Sequence, residues 1–147
     1  MPSQLNPYLN FRDNAREAME FYRSVFGGEL TVSTFGEFGV SDEPDEKDKI
    51  MHSQLSSPKG IVFMAADVPK SMDRTEGDNL AMSLSGDNEA ELTEYWNGIS
   101  AGATIQEPLT KAPWGDTFGM CVDKFGVHWM VNISGGGEPQ GTDTNPQ

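Results

Sequence analysis

Apolar positions recur along this chain in two rhythms, and each change of rhythm marks an element. From residue 15 to 26, Ala15, Ala18, Phe21, Tyr22, Val25 and Phe26 return at spacings of three and four, the stripe a helix buries against a sheet. Asn14 and Glu17 have the spacing of a capping box at its start, and Gly27-Gly28 supplies a left-handed stop at its end. The residues from Leu5 lead into this helix as a short strand. Residues 30–35, 50–55, 60–66 and 79–85 read as further strands, with Ser57-Pro58-Lys59-Gly60 as the turn between two of them. Within 79–85, Leu80, Met82 and Leu84 alternate with Ala81, Ser83 and Ser85, the period of a strand lying on a helix. A second helix is predicted over 88–101, burying Leu92, Tyr95, Trp96 and Ile99; Gly98 near its end costs about 1 kcal/mol against alanine. Residues 104–108 form a short strand, 111–115 a loop, and 118–122 with 128–133 a closing hairpin.

The pattern occurs twice. A shift of 74 positions lays Asp13-Asn14 on Asp87-Asn88, Glu17 on Glu91, Glu20 on Glu94, Phe21-Tyr22 on Tyr95-Trp96, Val25 on Ile99 and Gly28 on Gly102 without a gap. A cap, an aromatic pair, a branched aliphatic and a terminating glycine in one register describe two copies of a supersecondary unit. Each copy is strand, helix, then strands. The expected fold is α+β: one domain over residues 1–133, made of two βαβββ repeats at about 5–66 and 79–133, followed by a disordered tail at 134–147.

Composition narrows the partners. A formal net charge of −13, from 10 Lys+Arg against 23 Asp+Glu, repels phosphate backbones and anionic lipid. Neither nucleic acid nor a membrane is an expected partner, and with no basic head, apolar run or spanning segment the expected location is cytoplasmic. Cys121 is the lone cysteine, so a disulfide within the chain and a thiolate zinc cage are excluded; its apolar neighbours suggest a buried, inert thiol. The acidic stretch 36–49 lacks the spacing of a calcium loop and reads as a solvated, mobile segment, with a lid role left open.

The opening LNPYLNFRDNAREAMEFYRSVFGGEL, the segment DKIMHSQL and above all WGDTFGMCVDKFGVHWMVNI resemble the vicinal oxygen chelate superfamily of glyoxalases, bleomycin-resistance proteins and extradiol dioxygenases, and within it the PhnB-like branch. The resemblance covers roughly residues 5–133 and implies cupped mixed sheets with helices on their outer faces. It also implies a place for a divalent ion held by His and Glu from the first, fourth, fifth and eighth strands, acting as a Lewis acid. Those positions fall at Asn6, Met64, Asn79 with a shift of two, and Met130. None is His, Asp or Glu, and amide oxygen and thioether are poor ligands for Zn, Ni, Fe or Mn. No metal site, no cofactor and no catalytic residue is therefore assigned; a divalent metal enters only under the enzyme reading below.

Strand alternation puts His128, Met130 and Asn132 on one face and Trp129, Val131 and Ile133 on the other, and likewise separates His52 and Gln54 from Met51, Ser53 and Leu55. With Asn6, Tyr8, Asn10, Met64, Asn79, Ser83 and Trp114 these residues make a candidate lining of apolar and aromatic walls with a few polar points. Trp114 and the methionines suit core or dimer packing equally well, and the histidines suit polar wall positions. Two functions follow. The first is a glyoxalase/bleomycin-resistance-like protein without the usual ligands that binds a small organic molecule in the sheet cleft, as a homodimer. The alternative is a metal-dependent or histidine-dependent lyase, isomerase or dioxygenase-type enzyme. A methyltransferase is disfavoured, since no glycine-rich strand-to-helix turn is present to seat S-adenosylmethionine.

Overall fold

The computed structural model describes residues 3–39 and 43–135. The elements run β1 (Tyr8–Phe11), α1 (Ala15–Phe26), β2 (Glu29–Thr34), β3 (Ile50–Ser56), β4 (Val62–Asp67), β5 (Met82–Gly86), α2 (Glu89–Ile99), β6 (Thr104–Lys111), β7 (Thr117–Val122) and β8 (His128–Ile133). They fall into two units that divide between Gly77 and Asp78.

In the first unit the sheet order is β1-β4-β3-β2. β1 runs parallel to β4, and the remaining neighbours are antiparallel. Helix α1 packs on β2, β3 and β4 and buries Ala15, Ala18, Met19, Tyr22 and Phe26. Phe21 and Val25, predicted for that stripe, are half-buried at its margin, and Met19 takes their place in the core. Phe63 of β4 makes T-shaped contacts with Tyr22 and Phe26 at centroid distances of 5.5 and 6.2 Å, a geometry that suits aromatic quadrupoles. Gly27 closes the helix, its N–H donating to the Arg23 carbonyl, and Gly28 follows at φ 99°, where a Cβ would collide with the Ser56 carbonyl oxygen, so glycine is required there for space as well as conformation.

The start of α1 differs from its prediction. Asn14 makes no side-chain cap bond. Instead Asp67, at the end of β4 and buried, accepts from the Ala15 N–H at 2.9 Å with one carboxylate oxygen and from the Ile50 N–H at 3.0 Å with the other. A cap from a distant strand does what the local asparagine was expected to do. In α2 the prediction holds: Asn88 Oδ1 accepts from the Glu91 N–H at 3.1 Å.

The second unit repeats the topology, with sheet order β5-β8-β7-β6 and β5 parallel to β8. Helix α2 packs on β5 and β8 and buries Leu92, Tyr95, Trp96 and Ile99, the four residues predicted. Gly119 of β7 lets Trp96 approach: a Cβ there would stand 3.0 Å from the indole ring. The strand predicted at 104–108 continues to Lys111, and the one predicted from residue 79 begins at Met82.

Hydrogen bonds also tie two segments outside the regular elements to the units that carry them. Across the base of the acidic segment, Phe35 N–H donates to the Lys49 carbonyl and Gly36 N–H to the Lys47 carbonyl, at 3.2 and 2.9 Å. Lys70, between the units' sheets in sequence, pairs with Asp45 and donates its backbone N–H to Glu46 at 2.8 Å. After β8, Ser134 N–H donates to the Gly86 carbonyl and Gly135 N–H to Asp116 Oδ1. Residues 136–147 lie outside the described residues.

Candidate functional site

Each sheet has one face under its helix and one face without it, and the register decides which side chains share the second. In the first unit Tyr8 lies beside Met64, Met64 beside Gln54 and Gln54 beside Thr31, while His52 lies opposite Ser33. The alternate residues Ser53, Leu55, Phe63 and Ala65 are buried on the helix side. Strand alternation therefore gathers Tyr8, His52, Gln54 and Met64 on the open face. Tyr8 OH and His52 Nδ1 are 3.2 Å apart in a hydrogen bond, with ring centroids 5.8 Å apart and tilted 42°. Burial pushes the Tyr8 phenol above its ordinary pKa, so it stays neutral at physiological pH. Gln54 donates an amide N–H to Ser56 Oγ at 3.1 Å.

In the second unit Ser83 lies beside Met130, Met130 beside Met120, His128 beside Val122 and Asn132 beside Phe118. Trp129, Val131 and Ile133 are buried on the helix side. The predicted residues Ser83, His128 and Met130 thus share an open face. Met120 and Phe118, absent from the sequence-based lining, share it too, and pairing the alternation of β7 with that of β8 is the signal that finds them. Asn132 donates to Asp116 Oδ2 at 3.1 Å, which binds it to the loop that also holds Gly135.

Three predicted residues lie off these strands. Asn6 precedes β1 by two residues and is half-buried, Asn79 is exposed ahead of β5, and Trp114 is 65% exposed in the turn between β6 and β7.

The donor chemistry is consistent across both units. The expected ligand positions Asn6, Met64, Asn79 and Met130 offer amide oxygen and thioether, and each open face adds one imidazole, His52 or His128, and no carboxylate beside it, a poor set for a borderline divalent ion. Among the described residues no three His, Cys, Asp or Glu are grouped to hold a metal ion. The residues do not fit such an ion, and no step is derived through one. Among the described residues, no helix is long and apolar enough to cross a membrane.

Two buried carboxylates were not singled out from sequence, and both are structural. Asp67 holds the ends of α1 and β3 as above. Asp123 accepts from the Phe125 and Val127 N–H groups and from Trp129 Nε1–H, at 2.8, 3.0 and 2.8 Å.

Comparison with known proteins agrees with this architecture. The family described as 3-demethylubiquinone-9 3-methyltransferase matches residues 3–132. A Pseudomonas aeruginosa protein of solved structure, PA1353, is 38% identical with a TM-score of 0.76, over 90% of this chain and 98% of its own. The PhnB protein from Bacillus cereus is 24% identical with a TM-score of 0.69, over 90% and 100% of the two chains. A glyoxylase/bleomycin resistance protein/dioxygenase domain from Frankia is 14% identical with a TM-score of 0.61, over 91% and 98%. The last two likenesses carry the fold alone: two four-stranded mixed sheets, each with one helix, in the glyoxalase/bleomycin-resistance arrangement. The chain belongs to the 3-demethylubiquinone-9 3-methyltransferase family.

Proposed function

We propose that this protein binds a small organic molecule on the open sheet faces, and that it does so as a homodimer without a resident metal or cofactor. The observation that carries this reading is the makeup of those faces. Amide and thioether side chains, those of Asn6, Met64, Asn79 and Met130, stand at the positions where the resemblance places the imidazole and carboxylate ligands of metal-dependent members. Half-buried Met64, Gln54, Met120 and Met130 give apolar surface with a few hydrogen-bonding groups, the composition of a small-molecule site.

The family's name suggests methyl transfer, and the residues do not support it. The turn into α1 is Arg12-Asp13-Asn14 and the turn into α2 is Asp87-Asn88. Neither is the glycine-rich loop that cradles such a cofactor, and the start of α1 is filled by the Asp67 carboxylate.

A second reading, a histidine-dependent lyase or isomerase, is favoured by the Tyr8–His52 hydrogen bond, since a positioned phenol and imidazole can pass a proton. Elemental analysis, solution mass and a thermal-shift screen of aromatic and cationic compounds test the first reading together. A metal-free dimer stabilised by at least one compound is expected. One transition-metal ion per chain, or a screen with no stabilising compound, would sink it.

A further inference from the structure

We infer that the Tyr8–His52 couple on the open face of β1-β4-β3-β2 is the polar anchor of a subsite for an uncharged planar ring bearing a hydrogen-bond acceptor beside a donor. This rests on the small-molecule reading above and names the ligand class it did not.

The hydrogen-bonding capacity of the couple is fixed whichever atom holds the proton. If Tyr8 donates to His52 Nδ1, the imidazole keeps an Nε2–H to give and the phenol oxygen keeps lone pairs to receive. If His52 donates from Nδ1, Tyr8 keeps its proton and Nε2 becomes the acceptor. Either arrangement presents one donor and one acceptor, so an amide-like or hydroxy-carbonyl edge fits both. The two rings, tilted 42° to each other, and the Met64 side chain in the adjoining row supply aromatic and thioether surface for a flat ring.

Charge decides the rest of the class. The register places Tyr8, Asn10, Thr31, Ser33, His52, Gln54, Met64 and Glu29 on this face, with no Lys or Arg among them. Arg74 reaches the rim at the Asn10 carbonyl and is paired there with Glu76. An anion would meet Glu29 and the field of a chain of net charge −13 without a cation to receive it.

The chain has only two histidines, one in each unit, so imidazole resonances of histidine-labelled protein report the location of binding directly. His52→Gln and His128→Gln variants assign the two signals. Lumichrome, an uncharged tricyclic ring with a lactam edge, is titrated beside naphthalene and 2-naphthoate. Lumichrome is expected to move the His52 signals, to bind more tightly than either control, and to lose about five-fold in affinity with Tyr8→Phe, the worth of one net hydrogen bond. Tyr8 is 44% exposed, so that variant is expected to keep its fold, which the unchanged His128 signals verify. Movement of His128 alone, undiminished binding by Tyr8→Phe, or 2-naphthoate binding as tightly as lumichrome would each overturn the inference and leave the small-molecule reading standing. Silence of all three probes overturns it as well, and the wider screen then decides the broader reading by itself.

Discussion

Asp123 closes the β7–β8 turn from the inside. Its carboxylate serves two backbone N–H groups and the Trp129 indole, and it is buried. Removing it strands donors that water reaches poorly. Asp123→Ala is expected to cost about 3 kcal/mol, a fall of roughly 10 °C in melting temperature, read by calorimetry. Asp123→Asn keeps an acceptor and should fall between. Cys121, two residues earlier, is a second residue-scale case. Desolvation, with Asp123 adding its charge, pushes its thiol up to about 11 from 9.0. A raised acid holds its proton in the folded state after the unfolded chain has released it, so the stability that group contributes falls as pH climbs from 9 to 11. The wild type is therefore expected to lose stability relative to Cys121→Ala across that window, in paired denaturant titrations. A parallel course for the two proteins would contradict it.

The elements show what was readable locally and what was not. Helix α2 carries its own cap and all four predicted core residues, because every signal lies within its own sequence. Helix α1 has the same Asn-x-x-Glu spacing, yet its first N–H turns to Asp67, 52 residues away. No local pattern reveals that, since the geometry arises only when β4 pairs with β1. The open faces were readable to the same degree. Alternation put His52, Gln54, His128 and Met130 on the faces away from the helices, as the register does, but Asn6 and Asn79 depended on counting to strand starts, and β5 begins three residues later than counted. The Tyr8–His52 bond joins residues 44 positions apart and was legible only as shared membership of a face. At this scale Asp67→Ala is expected to cost about 2–4 kcal/mol, since two buried N–H groups lose their acceptor. Asn14→Ala should be nearly silent. Equal losses from the two variants would show that Asn14 is the working cap.

At the scale of the whole molecule, charge outweighs any single contact. The net charge of −13 is compressed into the folded state and repels itself more strongly there than in the expanded chain. Raising ionic strength from about 0.01 to 0.15 M shortens the screening length from roughly 30 to 8 Å. Melting temperature is expected to rise over that range, with sodium and potassium chloride equivalent. A rise confined to one cation would point to site binding instead. The exposed Lys70–Asp45 pair works in the opposite sense and is too solvated to offset this.

The different reach of the two helix caps bears on the order in which the halves assemble. Asn88 reaches three residues along its own chain, so α2 can begin before any strand has paired. The carboxylate that starts α1 arrives only with β4, after a loop of some fifty residues has closed. Two copies of one pattern thus carry unlike folding clocks. In pulse-labelled hydrogen exchange during refolding, amides of α2 should gain protection ahead of those of α1, and moving the local cap from one helix to the other would reverse which half leads.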